Sequence, residues 1–258
     1  MMTSNGRGDP CGRPYEIAIP RCGRPQGSPL PGNMLIRFVV CMIIFGLSWG
    51  CQSRTDINSV AHPVHIDGFM AKKMEADVLD IRKQKDESFK TSPDSPIPPE
   101  IRVVFRGLEY YPVNWKYRFE GPVNPYPSPQ PFQITTTSGE KRDAVKYGYI
   151  LFNLDSKQFK LQVYRLLDLE QKNVLFVPFV DSNVGKETYP AGRYIDLLEK
   201  ADGVYVIDFN NAYNPACSYG GNFPCPVTPP ENHLPIPIPA GEKNLPLAAK
   251  MERGTPVS

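Results

Sequence analysis

The chain lacks a concentrated block of positive charge. Its 29 lysine and arginine residues are nearly balanced by 27 aspartate and glutamate residues, which leaves a formal net charge of +2 at pH 7. Residues of both signs are interspersed along the sequence. Because binding to a phosphate backbone requires a dense basic face, this pattern argues against nucleic acid as the main partner.

Histidine is also scarce, which limits the metal sites that the sequence can form. The three histidines are His62, His65 and His233. Cys217 and Cys225 are too far apart for the C-x-x-C spacing that is typical of zinc sites. We therefore predict no metal ion and no other cofactor. A metal site formed by the two cysteines and His233 stays open as an alternative.

The segment Gly185-Lys-Glu-Thr188 does not meet the requirements of a phosphate-binding loop. A Walker pattern requires glycine at position 180 and serine or threonine directly after the lysine. This chain has Val180 and Glu187 at those positions. The sequence therefore excludes this kind of nucleotide site at this segment.

No apolar run reaches the roughly 20 residues that a membrane-spanning helix requires. The run from Phe38 to Trp49 is shorter, and it lies between the positive start Met34-Leu-Ile-Arg37 and the pair Gly50-Cys51. This order is typical of a secretory signal, and the Gly-Cys pair resembles a bacterial lipobox, in which Cys51 would be lipidated. We predict a membrane-anchored lipoprotein of the cell envelope. An ordinary secreted protein and a retained anchor are the alternatives.

Composition divides the chain into segments of different character. Residues 1–33 repeat the sequence Cys-Gly-Arg-Pro and lack apolar periodicity, so we interpret them as a non-native or disordered extension and Met34 as the true start. The remaining segments are a signal or lipobox-like segment at 34–51, a polar tether at 52–67, one folded domain at 68–243 and a flexible tail at 244–258.

A helix is predicted at the start of the folded domain. Charged residues occupy most of its faces, and one apolar stripe recurs at helical spacing: Met70, Met74, Val78 and Ile81. The pattern ends near Phe89. We expect this stripe to dock on the protein core. A second helix is predicted from Pro99 to Gly107, because proline favours the first turn of a helix and glycine its end.

After Gly121 the apolar period changes to two, which indicates β-strands. An aromatic cluster at 110–119 precedes this change, and we interpret it as core packing. The predicted strands are 132–137, 145–153, 159–163, 174–177 and 204–207. Because no long helices separate them, we predict a mainly β fold. In it, an antiparallel sheet closes into a barrel or sandwich, with the N-terminal helix packed on it.

Three polar segments are candidates for a functional site if the sheet closes. They span 179–189, 192–196 and 208–232, and the charged groups that they offer include Asp181, Glu187, Asp208, Glu231 and Arg193. Arg193 could clamp a carboxylate ligand, but a structural ion pair with Asp208 or Glu187 is the favoured interpretation. Acid–base catalysis by the carboxylates is an alternative for which no catalytic residue is assigned.

Cys217 and Cys225 are candidates for a disulfide, because the protein is predicted to be exported. Unpaired thiols and the metal site are the alternatives. The prolines that follow, from Pro226 to Pro239, impose extended backbone and remove hydrogen-bond donors. We expect this segment to cover a sheet edge as a clasp, either alone or while also forming a ligand site.

The chain resembles the DUF1684 family of bacterial and archaeal proteins over about 80–243. The resemblance rests on several motifs, among them Phe105-Arg-Gly-Leu108, Gly185-Lys-Glu-Thr-Tyr189, Gly192-Arg-Tyr194, Asp208-Phe-Asn-Asn-Ala-Tyr-Asn-Pro215, Pro229-Pro-Glu-Asn232 and Ala240-Gly-Glu-Lys243. It implies a predominantly β fold and brings no established activity.

The leading functional prediction is a lipid-anchored domain that binds a small polar ligand or a peptide. Its candidate binding residues are Glu187, Tyr189, Arg193, Asp208, Asn210, Tyr213, Asn214, Glu231 and Asn232. A hydrolase-like or metal-assisted enzyme is the first alternative, using Glu187, Asp208 and Glu231 together with Cys217 and Cys225. A structural protein of the envelope is the second.

Overall fold

The computed structural model of the protein describes residues 60–168 and 173–244. The predicted extension at 1–33, the signal segment with Cys51, most of the tether and the tail after residue 244 lie outside the described residues. No helix in the described part of the chain is both long enough and apolar enough to cross a membrane.

Two helices precede most of the sheet. Helix α1 (Gly68–Thr91) begins at Asp67, whose side chain accepts a hydrogen bond of 2.8 Å from the Met70 backbone N–H and so satisfies one of the donors left unpaired at a helix start. This confirms the predicted helix. Helix α2 (Pro99–Arg102) begins with proline as predicted, but it ends five residues before Gly107.

The face that α1 buries shares only Val78 with the predicted apolar stripe. Its buried residues are Val78, Arg82, Lys85 and Phe89, whereas Met70 is 43% exposed. Arg82 donates hydrogen bonds to the backbone oxygens of Tyr111 and Asn210 at 3.0 and 3.1 Å. Tyr111 lies in a loop and Asn210 in the short 3-10 helix Phe209–Asn211, so the predicted packing of this helix on the sheet itself stays a prediction.

Eight strands are present in the described residues. Their bounds are β1 Val60–Pro63, β2 Arg118–Pro122, β3 Asn124–Thr135, β4 Lys141–Leu154, β5 Lys157–Leu166, β6 Val174–Phe179, β7 Arg193–Leu198 and β8 Val204–Asp208. The sequence predicted β3, β4, β5, β6 and β8 and missed the other three.

The strands form one mixed sheet in the order β7-β6-β5-β4-β1-β2-β8, and β3 pairs with the first part of β4. The purely antiparallel prediction is wrong, because β1 runs parallel to β4, with Val60 opposite Leu151 and Ala61 opposite Phe152. Parallel neighbours require a long connection, and here both helices and two strands separate them in the chain.

The sheet curls until it is nearly closed into a barrel. The strands at the two ends of the path, β7 and β8, are in contact. Just after β8, the backbone of Tyr213 exchanges two hydrogen bonds of 2.8 and 3.0 Å with Tyr194 in β7. This bridge joins the segment that follows the last strand to the first strand of the path. The mainly β prediction is confirmed.

Strand β1 lies within the segment 52–67 that the sequence predicts to be a tether. Its pairing with β2 and β4 makes it part of the sheet, and Ala61 is fully buried. Gly121 in β2 allows this close approach, since a Cβ there would overlap the Ala61 backbone. The predicted tether is therefore too long by at least the residues of β1.

The interior of the barrel is one apolar cluster built from nearly every strand. Aromatic rings dominate its centre, where Phe209 contacts Phe119, Phe152 and Phe179 at ring-centroid distances of 5.1–6.2 Å. A second cluster covers the opposite face of β6 around Phe176. Because both of its faces are covered, all six residues of β6 are buried.

Candidate functional site

Arg193, the candidate ligand clamp, begins β7 and is 1% exposed. Its guanidinium donates hydrogen bonds to the backbone oxygens of Ile238, Ala240 and Glu242, at 2.9 Å for Ile238 and 3.2 Å for Glu242. These three residues belong to the strap, which we define as residues 233–243. The arginine therefore binds a protein segment at the place where the sequence predicted a ligand.

The carboxylate that compensates Arg193 is Asp181, at 3.5 Å. The sequence suggested Asp208 or Glu187 for this role. Asp181 is 2% exposed and also accepts hydrogen bonds from the Thr188 hydroxyl at 2.8 Å and the Ile238 backbone N–H at 2.9 Å. The charge of Asp181 is thus satisfied by one cation and two neutral donors, and it fastens the loop at 181–188 to the strap.

Asp208 and Asn210 form a second fastening at the end of β8. Asp208 accepts hydrogen bonds of 2.9 Å from the backbone and the side-chain amide of Asn210, and it is ion-paired with Arg118. The side chain of Asn210 exchanges two hydrogen bonds of 2.8 and 3.0 Å with the backbone of Asn114. The Asn210 amide thus pairs with the Asn114 backbone through one accepted and one donated hydrogen bond, as a neighbouring strand would.

Asn232 forms an equivalent bridge between β5 and β6 and is fully buried. Its side-chain oxygen accepts from the Gln162 N–H at 2.6 Å, and its side-chain nitrogen donates to the oxygens of Gln162 and Pro178 at 2.9 and 2.6 Å. Proline at 178 in β6 has no N–H to offer the neighbouring strand. The asparagine supplies the missing donor from outside the sheet.

Glu242 is a buried carboxylate that the sequence analysis did not place in the site. It is fully buried and accepts hydrogen bonds from Lys85 at 2.8 Å, from the side chain of Asn214 at 2.9 Å and from the hydroxyl of Tyr219. The motif Ala240-Gly-Glu-Lys243 contains this residue. Its pairing with Lys85 of α1 is a long-range contact that periodicity does not show.

Two of the remaining candidate residues, Glu231 and Glu187, lie nearer the surface, whereas Tyr213 is 4% exposed. Glu231 accepts a hydrogen bond from the Tyr164 hydroxyl at 2.8 Å and pairs with Lys146 at 2.6 Å. Glu187 is exposed and accepts from the Tyr111 hydroxyl at 2.9 Å. Burial and this hydrogen bond raise the pKa of Tyr111 to about 12. The candidate Tyr213 donates instead to Asp196 at 2.7 Å.

Cys217 and Cys225 lie next to each other in the fold. The Cys217 N–H lies 3.2 Å from the Cys225 sulfur, and the Tyr189 hydroxyl lies 3.6 Å from the Cys217 sulfur. The predicted disulfide stays a prediction. Within residues 60–168 and 173–244, no three histidine, cysteine, aspartate or glutamate side chains are grouped closely enough to hold a metal ion.

An open surface depression of about 520 Å³ lies at the β3–β4 edge. It is lined by Pro131, Phe132, Gln133, Asp143, Ala144 and Leu167, and none of these is a candidate site residue. The three predicted segments do meet one another and the strap. Arg193 pairs with Asp181 and donates to the strap, the Val180 N–H donates to the Asn232 backbone oxygen at 3.1 Å, and the Tyr189 hydroxyl lies 3.6 Å from the Cys217 sulfur. They meet through direct side-chain and backbone contacts.

Comparison with known proteins identifies a family, and a solved structure is also similar to this chain. The family described as "Protein of unknown function (DUF1684)" matches residues 103–243. An uncharacterized protein of Haloarcula marismortui, solved in solution by NMR, is 33% identical, with a TM-score of 0.53. The match covers 67% of this chain and 95% of that chain. No curated protein matches.

Proposed function

The chain belongs to the DUF1684 family, and we propose that its folded domain is a non-catalytic structural module of the cell envelope. The observation that carries this proposal is the burial of Arg193 beneath three carbonyl oxygens of the strap. Both terminal nitrogens of this guanidinium donate to the protein itself, whereas its Nε has no hydrogen-bond partner among the described residues. On this proposal, Arg193 and Asn232, which sequence reasoning assigned to a ligand, hold segments of the protein together.

The carboxylates support the same conclusion. An acid–base pair needs groups that reach a substrate, whereas Asp181 and Asp208 are buried and already accept several hydrogen bonds each. Glu231 is held by Lys146 and Tyr164. In the described part of the chain, these three carboxylates are therefore poorly placed to act as the acid or the base of an enzyme.

Substitution of Arg193 tests the structural proposal. Arg193→Met removes the cation and leaves Asp181 buried without its ion pair, so we expect the free energy of unfolding in urea to fall by about 3–5 kcal/mol. Lys157→Met, at the exposed start of β5, is the matched control and should change stability by less than about 0.5 kcal/mol. Unchanged or increased stability in Arg193→Met would instead indicate a residue kept for a ligand.

Binding of a small polar ligand or a peptide is the second candidate function, and the loop around Glu187 favours it. The exposed Glu187 carboxylate, the Tyr111 hydroxyl and the Lys243 ammonium lie together, with the lysine 4.7 Å from the centre of the Tyr111 ring. A thermal-shift screen of metabolites and short peptides tests it, because a ligand of the native state raises the unfolding midpoint. A shift that Glu187→Gln abolishes would favour this function over the purely structural one.

Export and lipid attachment at Cys51 complete the proposal. They are supported by the sequence at 34–51, where a short positive start and an apolar run precede Gly50-Cys51. In a bacterial host that carries out lipoprotein processing, the protein should incorporate an alkyne-labelled fatty acid and partition with membranes. Cys51→Ser should lose the label. Retention of the label in this variant would overturn the assignment of Cys51.

A further inference from the structure

We propose that Cys217 and Cys225 form a thiol–disulfide exchange site for small-molecule disulfides, with Cys217 as the attacking thiol and Cys225 as the resolving thiol. Neither the contacts of the strap nor the proposed structural function requires such chemistry. Three observations support this site: the contact between the two cysteines, their unequal exposure to solvent and the hydroxyl groups near the Cys217 sulfur.

The backbone brings the two cysteines together without a strand or a long helix. Cys217 lies in the short 3-10 helix Ala216–Tyr219, which ends at Gly220 in the left-handed conformation, with φ of +93°. Glycine adopts this conformation without strain, and the chain then turns back to Cys225. As a result the Cys217 N–H lies 3.2 Å from the Cys225 sulfur, so the two cysteines are direct neighbours.

The two thiols differ in access to solvent. Cys217 is partly exposed, whereas Cys225 is 1% exposed. A soluble disulfide therefore reaches Cys217 first. The buried neighbour is then positioned to attack the resulting mixed disulfide from within the protein, which is the order that an attacking and a resolving thiol require.

The surroundings of Cys217 favour its thiolate. Hydrogen bonding with the Cys225 thiol lowers the pKa of Cys217 to about 7, burial opposes this effect, and the hydroxyls of Tyr189 and Thr137 reinforce it. Burial and the contact with Cys217 raise the pKa of Tyr189, so its hydroxyl keeps its proton and remains a donor. A thiol whose pKa lies near the ambient pH is an effective attacking group in exchange.

The exchange balances with a small-molecule disulfide, RSSR, as the oxidant. The Cys217 thiolate attacks one sulfur of RSSR, the S–S bond breaks, and RS⁻ leaves with its electron pair. The Cys225 thiol then loses its proton and attacks the Cys217 sulfur, which releases a second RS⁻. Each RS⁻ takes up one proton released by a cysteine. Two electrons thus pass from the protein dithiol to RSSR, which leaves as two RSH.

Oxidation would also tie two parts of the structure together. The backbone of Cys225 donates to the Thr137 hydroxyl at 3.2 Å and accepts from the Thr137 N–H at 2.8 Å, just beyond the end of β3. A Cys217–Cys225 disulfide would therefore join the 3-10 helix to the segment that covers this edge. Because a disulfide restricts the unfolded chain, we expect the oxidised protein to melt about 5–10 °C higher.

The test is exchange of the full-length, reduced protein with oxidised glutathione, followed by peptide mass mapping. The wild type should form the Cys217–Cys225 disulfide, Cys225→Ser should accumulate glutathione on Cys217, and Cys217→Ser should leave Cys225 unmodified in the folded protein. The exchange rate should reach half its maximum near pH 7, and Tyr189→Phe should move that midpoint to higher pH without loss of the fold, as checked by circular dichroism.

Three results would overturn the proposal. The first is a wild-type pair that reacts with glutathione only after unfolding in urea, which would make the cysteines inert structural thiols. The second is Cys225→Ser protein that stays unmodified at Cys217. The third is glutathione uptake at Cys225 in folded Cys217→Ser, which would reverse the assigned roles. None of these results depends on whether the domain is structural or ligand-binding.

Discussion

Lys85 in helix α1 and Glu242 in the strap form an ion pair of 2.8 Å in which the two side chains are 7% and 0% exposed. The pair connects the first helix of the domain to its last described segment. Around it, Asn214 and Tyr219 donate to the same carboxylate. Both charges are therefore kept in a buried position by specific partners, and loss of either partner is costly.

Removal of the lysine charge should strongly destabilise the domain. In Lys85→Met the carboxylate of Glu242 stays buried without a cation, so we expect the free energy of unfolding in urea to fall by about 3–5 kcal/mol. The exposed Lys83→Met on the same helix is the control and should have an effect below about 0.5 kcal/mol. The double variant Lys85→Met, Glu242→Gln should recover part of the loss, since no unpaired charge remains. A double variant whose loss is the sum of the two single losses would contradict the coupling.

Sequence reasoning found most of the strands and the polar motifs but could not give their roles. Strand β7 was missed because its charged residues Arg193 and Asp196 led us to interpret the segment as part of a polar site. Strand β1 was missed because it is short and lies in a polar stretch. Whether a side chain is buried depends on contacts between residues far apart in sequence, such as those of Arg193 with the strap. The periodicity of apolar residues and the local conformational propensities carry no information about such contacts.

The same limit explains why the asparagines were predicted to bind a ligand. An amide side chain can serve a ligand or the backbone equally well, and the residue type alone does not decide between them. In the structure, the side chains of Asn210 and Asn232 bind backbone groups of Asn114, Gln162 and Pro178. Proline at 178 is the one local signal that a side-chain donor was needed nearby.

Asn232→Asp should separate the hydrogen-bonding role of this residue from its shape. The aspartate keeps the size but places a carboxylate oxygen against the carbonyl oxygens of Gln162 and Pro178, where the amide now donates. We expect the free energy of unfolding to fall by about 3 kcal/mol or more, because two buried hydrogen bonds are lost and the carboxylate repels the two carbonyl oxygens. Asn153→Asp, at an exposed position of β4, is the control. Equal stability of the two variants would show that the bridge between β5 and β6 contributes nothing.

The ion pair of Glu231 should make stability depend on pH in the acid range. Burial acts to raise the pKa of Glu231, but hydrogen bonds from Lys146, from the backbone and from Tyr164 outweigh it and lower the pKa in the folded protein. A lowered pKa contributes stability above the unfolded value, and this contribution is lost as the pH falls through the folded value.

We therefore expect Glu231→Gln to be less stable than the wild type at pH 7, by less than about 1 kcal/mol because the pair is partly exposed. The difference should vanish in acid, when the wild-type carboxyl is protonated. Urea unfolding of both proteins from pH 7 to pH 3 measures it, with the exposed Glu140→Gln as the control. A difference that grows as the pH falls would have the wrong sign for this explanation.

Gly192 should tolerate a methyl group far less well than Gly139. Both have positive φ, +97° and +86°, so alanine at either position loses about 1 kcal/mol from backbone strain. A Cβ at Gly139 meets nothing within 4 Å, whereas one at Gly192 would overlap the Thr228 hydroxyl and lie 2.7 Å from the Phe179 oxygen. Gly192→Ala should therefore cost at least about 2 kcal/mol more than Gly139→Ala in urea unfolding. Because Gly192 directly precedes Arg193, the added methyl group would also shift the guanidinium from the strap oxygens. Equal losses in the two variants would mean that this turn can relax, and that the strap is held less tightly than its hydrogen bonds imply.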